Sequence, residues 1–371
     1  MIQAQMRVPF SYLDRQFADI DIYLAEVKTL VQSGDFTLGK PVAEFERRFA
    51  QMCGLPHAVG VGSGTDALIL SLEILGIGPG DEVITAANTF VATAGAIAMA
   101  RAKPVFVDNG EGYVIDPSLI EAAITPRTKA IVPVHYSGNV CDMPRIMEIA
   151  KRHNLAVVED ACQSIAARFD DLPVGTWGDT AAFSLHPLKN LNVWGDGGMI
   201  VTRRADLDER LRLYRNHGLQ GRDDVLIWGH NSRLDSLHAV IGNRLIAETA
   251  FITEQRIANA RRYDAAFASV PEIRVPARPA NIKHTYHLYM LRVERRNELL
   301  AYLNENGVEA KVHYPIPLPH QPAARDLGYK PGDFPVAEAD AACMITLPAH
   351  QHLTSDEIDY TIDRVRAFYG R

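Results

Sequence analysis

Through the first two thirds of the chain, short apolar runs alternate with segments of helical periodicity. The runs are Val83-Ile84-Thr85, Pro104-Val105-Phe106-Val107, residues 130–134, Ala156-Val157-Val158-Glu159, residues 181–184 and Met199-Ile200-Val201-Thr202. Between them lie segments such as residues 65–75, where Leu68, Leu72 and Leu75 recur at helical spacing. Residues 143–153 form another and end in Lys151-Arg152-His153, cations that suit a helix C-terminus. Apolar strands separated by helices predict a mostly parallel sheet covered by helices, because such strands are buried on both faces. After about Leu245 the pattern changes. A long helix at 253–269 is followed by a strand-like run at 287–293 and a helix at 296–306 stopped by Gly307. A proline-rich loop (Pro315, Pro317, Pro319, Pro322) then leads to a last helix at 355–369. The expected division is a large domain over 1–248 and a smaller C-terminal α+β domain over 249–371, with the N-terminal segment free to dock on the small domain.

Composition removes several classes of function. A chain that is 47% hydrophobic and 22% charged has an ordinary globular balance, which excludes a disordered protein. With 38 Lys and Arg against 45 Asp and Glu, the net charge of −7 disfavours nucleic acid, which needs a basic face. A local pocket for one phosphate stays open. Cys53, Cys141, Cys162 and Cys343 are widely spaced and read as thiols in a reducing compartment. Residues 1–12 lack a basic segment followed by an apolar run, and no stretch approaches the roughly 20 apolar residues of a membrane span. A cytoplasmic location is expected. No metal is expected: His284 and His287 point to opposite faces of a strand-like run, and His350 and His352 lack a third ligand nearby.

Three segments carry chemistry. Gly60-Val61-Gly62-Ser63-Gly64-Thr65-Asp66 stands just ahead of a helix, where free N–H groups and hydroxyls suit a phosphate. It fails the dinucleotide fingerprint at Thr65 and the serine-hydrolase elbow at Val61 and Thr65. Plain helix capping is an equal reading. In Ala156-Val157-Val158-Glu159-Asp160-Ala161-Cys162-Gln163-Ser164, a strand delivers Asp160 to its carboxyl end, where open α/β sheets bind ligands. Asp160 as a helix cap is the alternative. In the third, Lys189 stands between an apolar strand and Gly195-Asp196-Gly197-Gly198. A desolvated lysine there would titrate low and attack carbonyls. Together these are the needs of pyridoxal 5′-phosphate (PLP): a phosphate cup, a lysine, and an acid for the pyridine nitrogen. Phe90 could stack on the ring, or simply fill the core.

The same segments, with Asn231-Ser232-Arg233-Leu234-Asp235, His313-Tyr314-Pro315 and Phe334-Pro335-Val336-Ala337-Glu338, resemble the DegT/DnrJ/EryC1/StrS family of sugar aminotransferases from about Val8 onward. The resemblance implies the PLP-dependent transferase fold (fold type I): an α/β large domain with a mostly parallel sheet, plus the smaller domain. It implies that Lys189 holds the cofactor and moves the proton, and that Asp160 pairs with the pyridine nitrogen. Gln163 would reach the ring's phenolic oxygen, while Gly64, Thr65 and Ser184 bind the phosphate and Phe90 stacks. Asn231 would reach the cofactor phosphate of a second subunit, making a homodimer with shared sites. His313, Tyr314 and His186 would meet the sugar.

The implied reaction moves an amino group from L-glutamate or L-glutamine to a keto-sugar. The Lys-Asn-Leu and Gly-Asp-Gly-Gly wording leans to a nucleotide-linked 3-keto deoxyhexose over a 4-keto one. A non-nucleotide sugar or cyclitol ketone is the alternative, as is a non-catalytic PLP-binding regulator. Two departures bear on substrate. His186-Pro187-Leu188-Lys189 stands where many members have Tyr-Pro-Gly-Lys, and His135-Tyr136-Ser137-Gly138 replaces His-Leu-Tyr-Gly.

Overall fold

The computed structural model describes residues 6–371; the first five residues of the expected 1–248 unit lie outside the described residues. A seven-stranded sheet organises the larger part. Its strands are β1 (His57–Val61), β2 (Glu82–Ala86), β3 (Lys103–Val107), β4 (Thr128–Val132), β5 (Ala156–Asp160), β6 (Thr180–Ser184) and β7 (Gly198–Thr202). They lie in the order β1-β7-β6-β5-β4-β2-β3. All neighbours from β6 to β3 are parallel, whereas β7 runs antiparallel to both β1 and β6. The carboxyl ends of β1, β2, β4, β5 and β6 therefore share one edge.

Helices cover both faces, which explains why the strands read as unbroken apolar runs. In chain order these are α1 (Ile20–Ser33), α2 (Lys40–Cys53), α3 (Gly64–Ile74), α4 (Val91–Met99), α5 (Met143–His153), α6 (Ala205–Tyr214) and α7 (Ser236–Leu245). Alternate strand residues feed opposite cores. Val157, Met199 and Val201 join Phe45, Phe49 and Ile146 on one side, while Val158 and Ile200 join Leu68, Leu72 and Ile97 on the other. Local signals set the helix ends: Asp142 accepts the Arg145 N–H at the start of α5, and Asn154 closes it in the left-handed conformation.

The C-terminal part builds a second core. It contains α8 (Thr249–Phe267), β8 (Ile273–Arg274), β9 (Tyr289–Val293), α9 (Arg296–Glu305), α10 (Pro335–Cys343), β10 (Met344–Leu347) and α11 (Ser355–Phe368). Tyr263, Phe267, Tyr289, Leu303, Ile345 and Ile358 pack together there, and Val8 from the N-terminal segment joins them. The Val8 N–H donates to the Gly307 carbonyl at 2.9 Å and its own carbonyl accepts from Glu309 at 3.0 Å.

Two expectations need correction, and one strand was not expected. The strand β1 has no counterpart in the sequence reading. The strand expected at 287–293 begins at Tyr289, and residues 284–288 are irregular. There Tyr286 takes a φ of 46°, and the N–H groups of Thr285 and Leu288 bond the Gly138 and Ser137 carbonyls across to the large sheet. The alternation argument for His284 and His287 thus has no strand to rest on. The proline-rich loop contains two short 3-10 turns, Leu318–His320 and Pro322–Leu327. Among the described residues no helix is long and apolar enough to cross a membrane.

Candidate active site

The turn after β1 meets the end of β6 closely. A Cβ on Gly64 would stand 2.7 Å from the Ser184 Cβ and 3.1 Å from the Cys162 Sγ, so glycine is what lets the α3 N-terminus approach. Ser63 caps α3 by accepting the Asp66 N–H at 3.0 Å. Ser232 braces the turn: its Oγ accepts the Gly62 N–H at 3.1 Å and donates to Asp66 at 2.8 Å. The first N–H groups of α3, those of Gly64 and Thr65, precede any helical acceptor, and Gly64 lies against Ser184. Ser184 Oγ accepts the His186 N–H at 3.3 Å, which leaves its own proton to donate.

Asp160 ends β5 and is buried. Its Oδ2 accepts the Thr93 hydroxyl at 2.7 Å, and its Oδ1 accepts the Cys162 N–H at 3.2 Å. Gln163 is buried close by, with Oε1 accepting the Ser137 N–H at 2.8 Å. Since the carbonyl end is committed to Ser137, the NH₂ end is the free one. The Tyr314 ring lies 5.8 Å from that of Phe90, which precedes α4 and is 47% exposed.

Lys189 lies in the loop between β6 and β7, held at every step. Its N–H donates to the His186 carbonyl at 2.8 Å. Its carbonyl accepts the Tyr12 hydroxyl at 2.9 Å and the Asn192 amide at 3.0 Å. Asn190 donates to the Thr285 carbonyl at 3.1 Å, and Gln16 donates to Asn192 at 2.9 Å. Burial pushes the Lys189 amine below the usual lysine range, with Cys162 and Asp160 pulling the other way. Burial, then the charge of Lys189, also lowers His186. His313 is pushed down to about 4 by burial, then by Lys311 and Lys189. Its Nδ1 stands 2.9 Å from the Thr346 hydroxyl.

The fold thus brings Gly64, Thr65, Ser184, Asp160, Gln163, Lys189, His186, His313, Tyr314 and Phe90 to one edge of the sheet. Asn231 is exposed, on a backbone bridge to Asn216, one residue before the Ser232 that braces the Gly62 turn. Sequence reasoning missed Thr93, Tyr12 and Ser137. Thr93 had one usable signal, its place in the first turn of the helix after Phe90. A cavity of about 590 Å³, lined by Arg278, Asn281 and His284 among others, contains none of the expected site residues.

Residues 19–366 match the family model described as the DegT/DnrJ/EryC1/StrS aminotransferase family. The chain is 40% identical to a "Pleiotropic regulatory protein" of Geobacillus stearothermophilus, over 98% of this chain and 99% of the relative. It is 39% identical to the dTDP-3-amino-3,4,6-trideoxy-alpha-D-glucose transaminase of Streptomyces venezuelae, over 98% of this chain and 97% of that one. The structure of S. venezuelae DesV in complex with a ketimine intermediate superposes with a TM-score of 0.96 at 39% identity, covering 99% of both chains.

Proposed function

The chain belongs to the DegT/DnrJ/EryC1/StrS aminotransferase family, and from that premise we propose that it moves an amino group from L-glutamate or L-glutamine to a keto-sugar with PLP as cofactor. One observation carries the reading: the desolvated Lys189 amine shares a sheet edge with the buried carboxylate Asp160 and the open N-terminus of α3.

The residues fit the group. The Gly64 and Thr65 N–H groups and the Ser184 hydroxyl suit a phosphate dianion, since the glycine keeps the helix end unobstructed. Asp160, oriented by Thr93, would hold a proton at the pyridine nitrogen. The free NH₂ of Gln163 would donate to the ring oxygen, and Phe90 would cover a face of the ring. When bound, PLP supplies the carbonyl that takes up the amino group and a ring that accepts electrons as a substrate carbon loses its proton. Lys189 would be the general base: with burial holding its amine below the usual lysine range, it would accept the α-proton of the amino donor and later return a proton to the sugar carbon. His186 and His313, both held below the usual histidine range, present neutral rings suited to sugar hydroxyls.

The relative named for a dTDP-3-amino sugar supports a nucleotide-linked hexose aminated at C3. A homodimer follows from the same reading. Trp228 is 90% exposed, with Leu226 and Val225 uncovered beside it, and a second copy would cover them while bringing in its Asn231. The free thiols accord with a reducing cytoplasm. A regulatory reading draws on the name of one relative, but a regulator has no need of a desolvated lysine. Purified protein supplied with PLP should show a cofactor absorbance band that changes on adding L-glutamate, with release of one 2-oxo acid per site. An unchanged band and no 2-oxo acid would sink the proposal.

A further inference from the structure

Next to Leu188, one residue before Lys189, lies a cavity of about 20 Å³ whose lining includes Tyr12, Leu188, Arg256, His287 and His350. Arg256, on α8, is 3% exposed. Its Nε–H donates to Gln351 at 3.0 Å, and its Nη1 donates to the carbonyls of Tyr286 at 3.1 Å and His287 at 3.3 Å. Its plane lies over the Tyr12 ring at 5.2 Å, and Tyr12 in turn holds the Lys189 carbonyl. Its Nη2 is fully enclosed and has no partner.

Two ring nitrogens share that condition. His350, 2% exposed, places Nε2 at 3.1 Å from the Pro9 carbonyl. A carbonyl only accepts, so Nε2 carries the hydrogen. Burial pushes this ring down to about 3, so it is neutral and Nδ1 is a bare acceptor, enclosed and unpartnered. His287 Nδ1 is also enclosed and unpartnered, and burial holds its ring neutral too. An anion could satisfy Arg256 but would face the lone pair of His350. A water both accepts and donates. The cavity exceeds the roughly 10–15 Å³ that a water requires, and its polar partners fall within the usual two to four.

We propose that Arg256, His350 and His287 hold one water molecule beside the Lys189 loop, accepting from Arg256 Nη2 and donating to both Nδ1 atoms, so that His287 is fixed as its Nε2–H tautomer. The water and Arg256 are positioning elements. Through them His287 offers a neutral N–H donor in the neighbourhood of Lys189, whose charge, with that of Arg256, adds to burial in lowering the ring. Its value to catalysis rests on the aminotransferase reading; the water and the tautomer do not.

Histidine tautomers can be read by long-range ¹H–¹⁵N correlation in the cofactor-free full chain, with His287→Gln and His350→Gln assigning the signals. The expected result is the Nε2–H form at both rings, in excess by more than roughly tenfold, and a shift of His287 toward parity in Arg256→Met. A wild-type His287 carrying its hydrogen on Nδ1, or an Arg256→Met protein with His287 unchanged, overturns the proposal. Should that variant fail to fold, crystals of the unaltered protein grown in bromide decide. Water density without anomalous signal supports it, and a bromide peak between Arg256 and His350 refutes it. Neither readout involves turnover, so a failure of the aminotransferase reading would be seen separately.

Discussion

Replacing Asp160 with Asn separates the charge of this residue from its shape. The carboxylate is 4% exposed and takes two hydrogen bonds, from the Thr93 hydroxyl at 2.7 Å and the Cys162 N–H at 3.2 Å. Asparagine preserves both in outline. Its Oδ1 still accepts from Cys162, and its NH₂ donates to a Thr93 hydroxyl that turns round to accept. The fold should therefore lose no more than about 1 kcal/mol. What disappears is the negative charge that would hold a proton on the cofactor ring. A hydrogen bond to a charged group contributes about 1.5–3 kcal/mol. If that contribution is realised in the transition state, the rate falls roughly ten- to a hundredfold. Single-turnover measurements with L-glutamate, at PLP concentrations that keep the variant loaded, isolate this loss from any loss of affinity. Thr93→Val serves as the control: it removes one donor, leaves the charge, and should slow turnover less than tenfold. Wild-type rates in loaded Asp160→Asn would refute the reasoning and leave Asp160 as the cap of the turn at Cys162.

Other perturbations bear on the remaining assignments. Lys189→Ala should keep the fold and abolish multiple turnover with L-glutamate; sustained turnover would remove the lysine from the mechanism. Asn231→Ala should weaken cofactor retention by about 1.5–3 kcal/mol, measured by dialysis against limiting PLP. In exchanged dimers of Lys189→Ala with Asn231→Ala, one site regains both groups, so retention should exceed the parental mean; no gain despite proven exchange would place Asn231 in its own subunit's site. Arg15 grips Glu357 with two hydrogen bonds, at 2.8 and 2.6 Å, and holds that carboxyl at about 2 against an ordinary 4.5. Because the folded value is the lower one, the stabilisation is complete above pH 4.5 and lost as pH falls toward 2. Arg15 is about a third exposed, so solvent screening reduces the effect to about 1–2 kcal/mol. Urea melts of Glu357→Gln at pH 7 and pH 3 should show that loss at neutral pH and a smaller one in acid.

The parts of this molecule that were legible in sequence are those whose cause is local. β5 and β7 could be read because burial on both faces writes continuous apolar runs, and α5 because Asp142 and Asn154 mark its ends within the same segment. β1 escaped because His57 and Gly60 interrupt its apolar pattern. The reason for Gly60 lies far along the chain: a Cβ there would come within 3.0 Å of the Leu234 side chain. The same division runs through the site. Gly64, Asp160 and Lys189 each lie at or just after a strand end, in a segment that leaves a visible motif, whereas their supports come from elsewhere. Thr93 reaches Asp160 from the helix after β2, Ser137 reaches Gln163 from the loop after β4, and Tyr12 reaches Lys189 from the N-terminal segment. Apart from the place of Thr93 in the first turn after Phe90, none of these supports has a composition or spacing that sets it apart from an ordinary core threonine, loop serine or buried tyrosine. Their meaning arises only once the strand order β6-β5-β4-β2 sets neighbouring carboxyl ends side by side. Chemistry at a strand end can therefore be read from a motif, while the tuning of that chemistry depends on which loops the topology makes adjacent.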